Sequence, residues 1–206
     1  MTDGPSQQLQ QAIGGWRGAL ESAAPAVLFL ATYQVTHDLP TALRAALAVA
    51  VIAAVARIVR RGPLQFVISG LIGVAFSAWF SMRSGQAKDF FVPGLITNVL
   101  WGAAYLLSVL MRYPLIGILV GSLEGEPLKW VRSVERRRAA NLATLAFAAL
   151  FAVRLLIEVP LYLADALNAL GTVKLALGWP AYVFTVWVAY RLMKPMLGSA
   201  PAEDLL

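Results

Sequence analysis

The chain has 206 residues, of which 59% are hydrophobic and only 14% charged. Soluble domains of this size carry roughly a quarter charged residues, so the composition argues against a soluble domain and for one polytopic membrane domain. Cysteine is absent and His37 is the sole histidine, which excludes a disulfide framework, a thiol nucleophile and any cysteine-based metal site, while the formal net charge of +6 comes from basic residues at the ends of apolar segments, a topology signal that does not point to nucleic acid.

Met1–Gln11 is polar, contains Gly4 and Pro5, and reads as a tail. It lacks the basic start and cleavage site of a signal peptide, so the first helix is expected to stay. Ile13–Leu20 suits the membrane interface, with Trp16 as anchor. The expected domains are a cytoplasmic tail over 1–19, a single transmembrane domain over 20–194 with a basic cytoplasmic loop at 121–138, and a tail over 195–206.

The first span is expected over Leu20–Thr36, with Glu21, Ser22, Pro25, Phe29, Thr32, Tyr33 and Thr36 on one side. His37-Asp38-Leu39-Pro40 reads as a tight turn, and Pro40 and Thr41 open the next helix. The second span, Thr41–Val59, is mostly Ala, Val and Leu, which favours helix and close helix approach. Gly62-Pro63 is a turn signal. The third, Leu64–Met82, places Gln65, Ser69, Gly73 and Ser77 at i+4 steps, a small-residue ridge for packing. Arg83–Asp89 reads as a short polar loop.

The fourth span, Phe90–Met111, lines up Gly94, Asn98, Trp101, Tyr105, Ser108 and Arg112. Asn98 lies deep and needs a hydrogen-bond partner on another helix; interhelical glue and a cavity wall both stay open. Pro114–Val120 is apolar but too short to cross, which leaves a re-entrant piece, an interfacial helix or a bent helix end. Glu126–Arg138 is amphipathic, and Lys129, Arg132, Arg136, Arg137 and Arg138 suit a surface of anionic lipid headgroups; a solvated basic loop explains it equally well.

The fifth span, Asn141–Asp165, is long enough to cross a core about 30 Å thick. Arg154 and Glu158 are one helical turn apart, and Thr144, Tyr162 and Asp165 share their stripe with Phe147 and Phe151. An isolated charge in mid-membrane costs at least about 2.5–3.5 kcal/mol, so the two are expected to face protein or water and to neutralise each other. A ligand or ion pathway through Arg154, Glu158, Asn98, Tyr105, Tyr162, Asp165 and Glu21 is one reading; a structural ion pair is the other. Pro160 is expected to kink the helix near Ile157. Ala166–Lys174 reads as a connector with Gly171, and the sixth span as Leu175–Met193.

With both termini cytoplasmic, Arg17, Arg57, Arg60, Arg61, Arg112, Lys129, Arg132, Arg136, Arg137, Arg138, Arg191 and Lys194 fall inside, and only Arg44, Arg83, Lys88 and Lys174 outside. This asymmetry favours an all-α bundle of about six transmembrane helices with both termini inside.

The segments ESAAPAVLFLATYQVTHDLPTAL, GPLQFVISGLIGV, KDFFVPGLITNVLWGAAYLLS, RYPLIGILVG, RRRAANLATL, RLLIEVPLYLADALNALG and GWPAY resemble an actinobacterial family of uncharacterised membrane proteins. The layout of Pro114–Gly121 followed by Arg136–Asn141 is more distantly similar to the YciB, or intracellular septation protein A, family. That resemblance implies a multi-pass inner-membrane protein tied to envelope maintenance and division, with no assigned reaction; Arg154-Glu158 has no counterpart in the YciB pattern.

No HExxH, GxSxG or P-loop occurs, so neither an enzyme nor a cofactor is expected, and no catalytic or metal-ligating set stands out. The first functional expectation is a structural or interaction protein of the cell envelope, a homodimer through its small-residue faces, with envelope or division proteins as partners. The second is a small-solute or ion transporter or channel.

Overall fold

The computed structural model describes residues 15–60, 64–123, 128, 131 and 133–197, and side chains from Ala23 to Lys194 within them, apart from 64–67 and 123. Among the described residues there is no strand. In chain order the helices are α1 (Gly15–Thr36), α2 (Leu39–Val59), α3 (Leu64–Ser84), a 3-10 turn (Ala87–Phe91), α4 (Val92–Leu110), α5 (Leu115–Leu123), α6 (Val134–Leu163), α7 (Leu167–Ala176) and α8 (Trp179–Leu197). The expected tails at Met1–Gln11 and Pro201–Leu206, the turn at Gly62-Pro63, and Lys129 and Arg132 lie outside the described residues.

Four stretches among the described residues are long and apolar enough to cross a membrane: Leu39–Val59, Ala87–Leu110, Val134–Leu163 and Leu167–Lys194; Ala23–Thr36 is apolar but shorter. The protein is therefore an all-helical membrane protein. The chain divides into two compact units, Met1–Gly94 with Leu161–Leu175, and Leu95–Pro160 with Ala176–Leu206.

In the first unit, α1 ends where His37 takes the left-handed conformation (φ 49°) and Asp38 caps α2 by accepting from the Thr41 N–H at 3.0 Å. Pro40 then sits in the first turn of α2, where its missing N–H is not needed. Ala42, Ala46 and Ala50 are buried at helical spacing, so small side chains do bring α2 close to its neighbours. The core is built on Phe29, fully buried, whose ring stacks on Phe90 at 4.2 Å and meets Phe91 edge-on. Ala78 of α3 and Leu170 of α7 complete it.

Of the expected ridge on α3, Ser77 is half-buried, the Gln65 side chain lies outside those described, and the other two members are not packed within this unit. Ser69 and Gly73 are exposed, and a Cβ at Gly70 or Gly73 would meet nothing within 4 Å. The helix packs instead through Ala78 and Ser81, which lie one turn further on.

Within the expected connector Ala166–Lys174, all but Ala166 is helix. Leu170 is fully buried, and Gly171 lies against the Leu30 side chain, so packing on α1 drives the segment into helical form. The expected sixth span is interrupted near its start: α7 stops at Ala176 and α8 begins at Trp179. Pro180 favours a break there, since it has no N–H to donate to the Ala176 carbonyl and its ring crowds that carbonyl.

In the second unit, α6 starts at Val134, so Arg136, Arg137 and Arg138 occupy its first turns and not a loop. Ser133 caps it, its Oγ accepting from the Arg136 N–H at 3.1 Å. Pro160 stands inside α6 without ending it. The segment at Pro114–Val120 is a short helix of its own, α5. Its first donors are satisfied by side chains: the Leu115 N–H by Ser108 Oγ at 3.3 Å and the Ile116 N–H by Thr144 Oγ1 at 3.2 Å. Ile116, Ala140, Ala143, Phe147, Ala189 and Met193 form the core here.

Candidate functional site

The second unit holds Arg154 and Glu158. Arg154, half-buried, donates from Nε to the Leu177 carbonyl and from Nη2 to the Gly178 carbonyl, each at 2.8 Å. These are the two residues in the gap between α7 and α8. The Gly178 carbonyl also accepts from the Tyr182 N–H at 3.1 Å, as the first acceptor of α8. The guanidinium thus supplies what the interrupted ladder cannot, in a medium where an unsatisfied carbonyl costs several kcal/mol. It also sits 5.5 Å from the centre of the Phe151 ring, one turn earlier.

Glu158 is 2% exposed, and its Oε2 accepts from Asn98 Nδ2 at 3.2 Å. Asn98 is buried as well, so the interhelical partner its depth demanded is this carboxylate on α6. The Arg154-Glu158 stripe therefore faces protein, and neither charge relies on the other alone.

Tyr105 packs among aromatic rings. Its ring stacks on Phe147 at 5.3 Å and on Phe151 at 5.8 Å. Gly102, one turn away on α4, faces the Phe151 Cβ, which a Cβ of its own would approach to 3.2 Å. The close approach of α4 and α6 that lets Asn98 reach Glu158 depends on that small residue.

Tyr162 and Asp165 belong to the first unit and to a different cluster. The Tyr162 hydroxyl donates to Asp89 Oδ1 at 2.6 Å. Asp89 is 7% exposed in the 3-10 turn, so the segment Arg83–Asp89 that reads as a polar loop ends in a buried carboxylate. Beside it, Lys88 Nζ pairs with Asp165 Oδ1 and lies 4.9 Å from the Tyr162 ring centre. Asp165 ends α6 in the left-handed conformation (φ 55°). Sequence reasoning missed Lys88 and Asp89 as partners of this stripe. The available signal was a Lys-Asp pair directly before the aromatic run Phe90-Phe91, where a charge next to buried rings needs a partner.

The side chain of Glu21 lies outside those described, and α1 carries its backbone. Arg137 and Arg138 are exposed and Arg136 partly so. Among the described residues no group of three or more His, Asp or Glu is placed to hold a metal ion.

The chain belongs to the family described as protein of unknown function DUF3159, whose model matches residues 13–198. No curated protein and no solved structure matches it.

Proposed function

We propose that this protein is a structural or interaction component of a bacterial inner membrane, supporting cell-envelope integrity or division, and carries out no reaction of its own. The observation that carries this reading is the bonding of Arg154 to the Leu177 and Gly178 carbonyls. Both bonded nitrogens of the guanidinium are committed to closing a gap in the backbone ladder. A transport site needs charges that can change partners, whereas a fixed frame needs them spent.

In this reading about six helices cross the membrane and both termini are cytoplasmic, as the distribution of Arg and Lys favours. The similarity to the actinobacterial proteins and, further off, to the YciB family supports the envelope setting. Arg136, Arg137 and Arg138 bind anionic lipid headgroups. Three cations on the first turns of α6 oppose its macrodipole, so their placement is not explained by helix stability. The exposed Ser69 and Gly73 face of α3 offers a second copy of the chain a close approach.

The second reading, a small-solute or ion transporter, rests on Glu158 and Asn98, a carboxylate and an amide buried together in a membrane-spanning helix pair. Proteoliposomes loaded with a pH-sensitive dye separate the two. Proton and ion leak equal to that of empty liposomes supports the structural role. A conductance that Glu158→Gln abolishes overturns it in favour of transport.

A further inference from the structure

The first unit contains a cavity of about 400 Å³ lined at one end of α1 by Tyr33, Gln34 and His37, and on the other side by Asp165 and the first turn of α7, including Asn168. Two left-handed residues create it. His37 and Asp165 each turn the chain sharply at a helix C-terminus, so the ends of α1 and α6 flank the same hollow.

We propose that this cavity binds a small organic ammonium group. Asp165 supplies a carboxylate acceptor: it is exposed, and Lys88 engages Oδ1, which leaves Oδ2 for an incoming donor. Tyr33 supplies an aromatic wall, with His37 packed against it edge to face, centroids 6.4 Å apart at an interplanar angle of 71°. Gln34 Nε2 donates to Asn168 Oδ1, which holds the two amides across the cavity and leaves Gln34 Oε1 as acceptor. The protein already uses this chemistry next door, where the ammonium of Lys88 rests between Asp165 and the face of Tyr162.

Other ligand classes fit less well. An anion would meet the Asp165 carboxylate. The N–H groups of Asp165, Ala166 and Leu167 are spent on the carbonyls of Tyr162, Leu161 and Asp165 and do not face an anion. A metal ion would find one carboxylate and one imidazole, short of the three protein ligands of a typical site.

An ammonium can reach the cavity from a lipid headgroup or as a free amine, and one experiment distinguishes them. His37 is the only histidine, so histidine-selective isotope labelling gives a single imidazole as reporter inside the cavity wall. The full chain is placed in phosphatidylglycerol nanodiscs at fixed pH and titrated with ethanolamine. A saturable shift of the His37 resonances is expected, with affinity weakened roughly tenfold or more in Asp165→Asn, as expected for one lost charge-assisted bond. Asn168→Ala keeps the Lys88–Asp165 pair and should weaken binding too, which covers the case that Asp165→Asn fails to fold. The same shift in phosphatidylethanolamine nanodiscs without free amine assigns the ligand to lipid; a shift with free ethanolamine alone assigns it to a soluble amine. No saturable shift from either source, an affinity equal to wild type in both Asn168→Ala and Asp165→Asn, or a saturable shift produced by sodium acetate would each overturn the proposal.

Discussion

Arg154 Nε donates to the carbonyl oxygen of Leu177 at 2.8 Å, bridging 23 residues of sequence from the middle of α6 to the break between α7 and α8. Pro180 favours a break there, since it has no N–H to give the Ala176 carbonyl, and the guanidinium caps the carbonyls of the gap. The charge and the proline are thus two halves of one feature, although they lie on different helices.

The first prediction follows from the fork geometry. Lys has one nitrogen on a flexible stem and cannot reproduce the paired bonds to Leu177 and Gly178. Arg154→Lys should lower stability by about 1–3 kcal/mol, the range for a buried polar group left short of a partner. Arg154→Leu should be worse than Arg154→Lys. Thermal unfolding in detergent, followed by size-exclusion fluorescence, measures both.

A second prediction concerns Tyr162 and Asp89. Removing the hydroxyl leaves a carboxylate at 7% exposure without this donor. Tyr162→Phe should destabilise by about 1–3 kcal/mol, and the Tyr162→Phe/Asp89→Asn double mutant should show a coupling of about 0.5–3 kcal/mol. Strictly additive losses would mean the two do not interact.

The reach of sequence reasoning is clear from these sites. The helical class, the turn at His37–Pro40 and the depth of Asn98 were legible, because each rests on local chemistry: apolar length, a cap with a proline behind it, and a lone amide among apolar residues. The stripe through Arg154 and Glu158 was legible as a face, but its partners were not. The acceptors for Arg154 are main-chain carbonyls, which leave no mark in a sequence. The helical nature of Ala166–Lys174 was hidden for a related reason: Gly171 looks like a hinge until Leu30 is seen lying against it. What the ridge on α3 packs against was not legible, because small residues at i+4 permit close packing without specifying who packs there.

Arg112 takes the left-handed conformation (φ 62°) just past the end of α4. That geometry costs a non-glycine residue about 1–2 kcal/mol, partly offset by the greater freedom glycine has when unfolded. Arg112→Gly should therefore raise stability by about 0.5–1 kcal/mol, while the β-branched Arg112→Val should lower it. Chemical denaturation of the two variants beside wild type tests the pair.

Acid should weaken the cap of α2. Hydrogen bonds from Thr41, its side chain first and its backbone N–H second, hold the Asp38 carboxyl below the usual carboxylate range. A carboxyl whose folded pKa is depressed stabilises the fold above its unfolded pKa and loses that contribution as pH falls through the folded value. The melting-temperature gap between wild type and Asp38→Ala should stay constant from about pH 7 to pH 5 and close below about pH 4. A gap that widens on acidification would contradict the cap.

Orientation is tested by single cysteines at Lys88 and Ser133 in a chain that has none of its own. In intact cells an impermeant maleimide should label the Lys88→Cys variant and leave Ser133→Cys unlabelled; the reverse pattern would invert the topology.

The most direct test of whether the intramembrane charges are frame or pathway is the reactivity of a cysteine beside Glu158. Asn98→Cys places a thiol at the position that now donates to Oε2. Membrane vesicles carrying this variant are treated with a charged, water-soluble methanethiosulfonate, with Lys88→Cys as the reactive control. The structural account predicts that Lys88→Cys is modified and Asn98→Cys is not. Modification of Asn98→Cys at a comparable rate would show that water reaches Glu158, and would contradict the account.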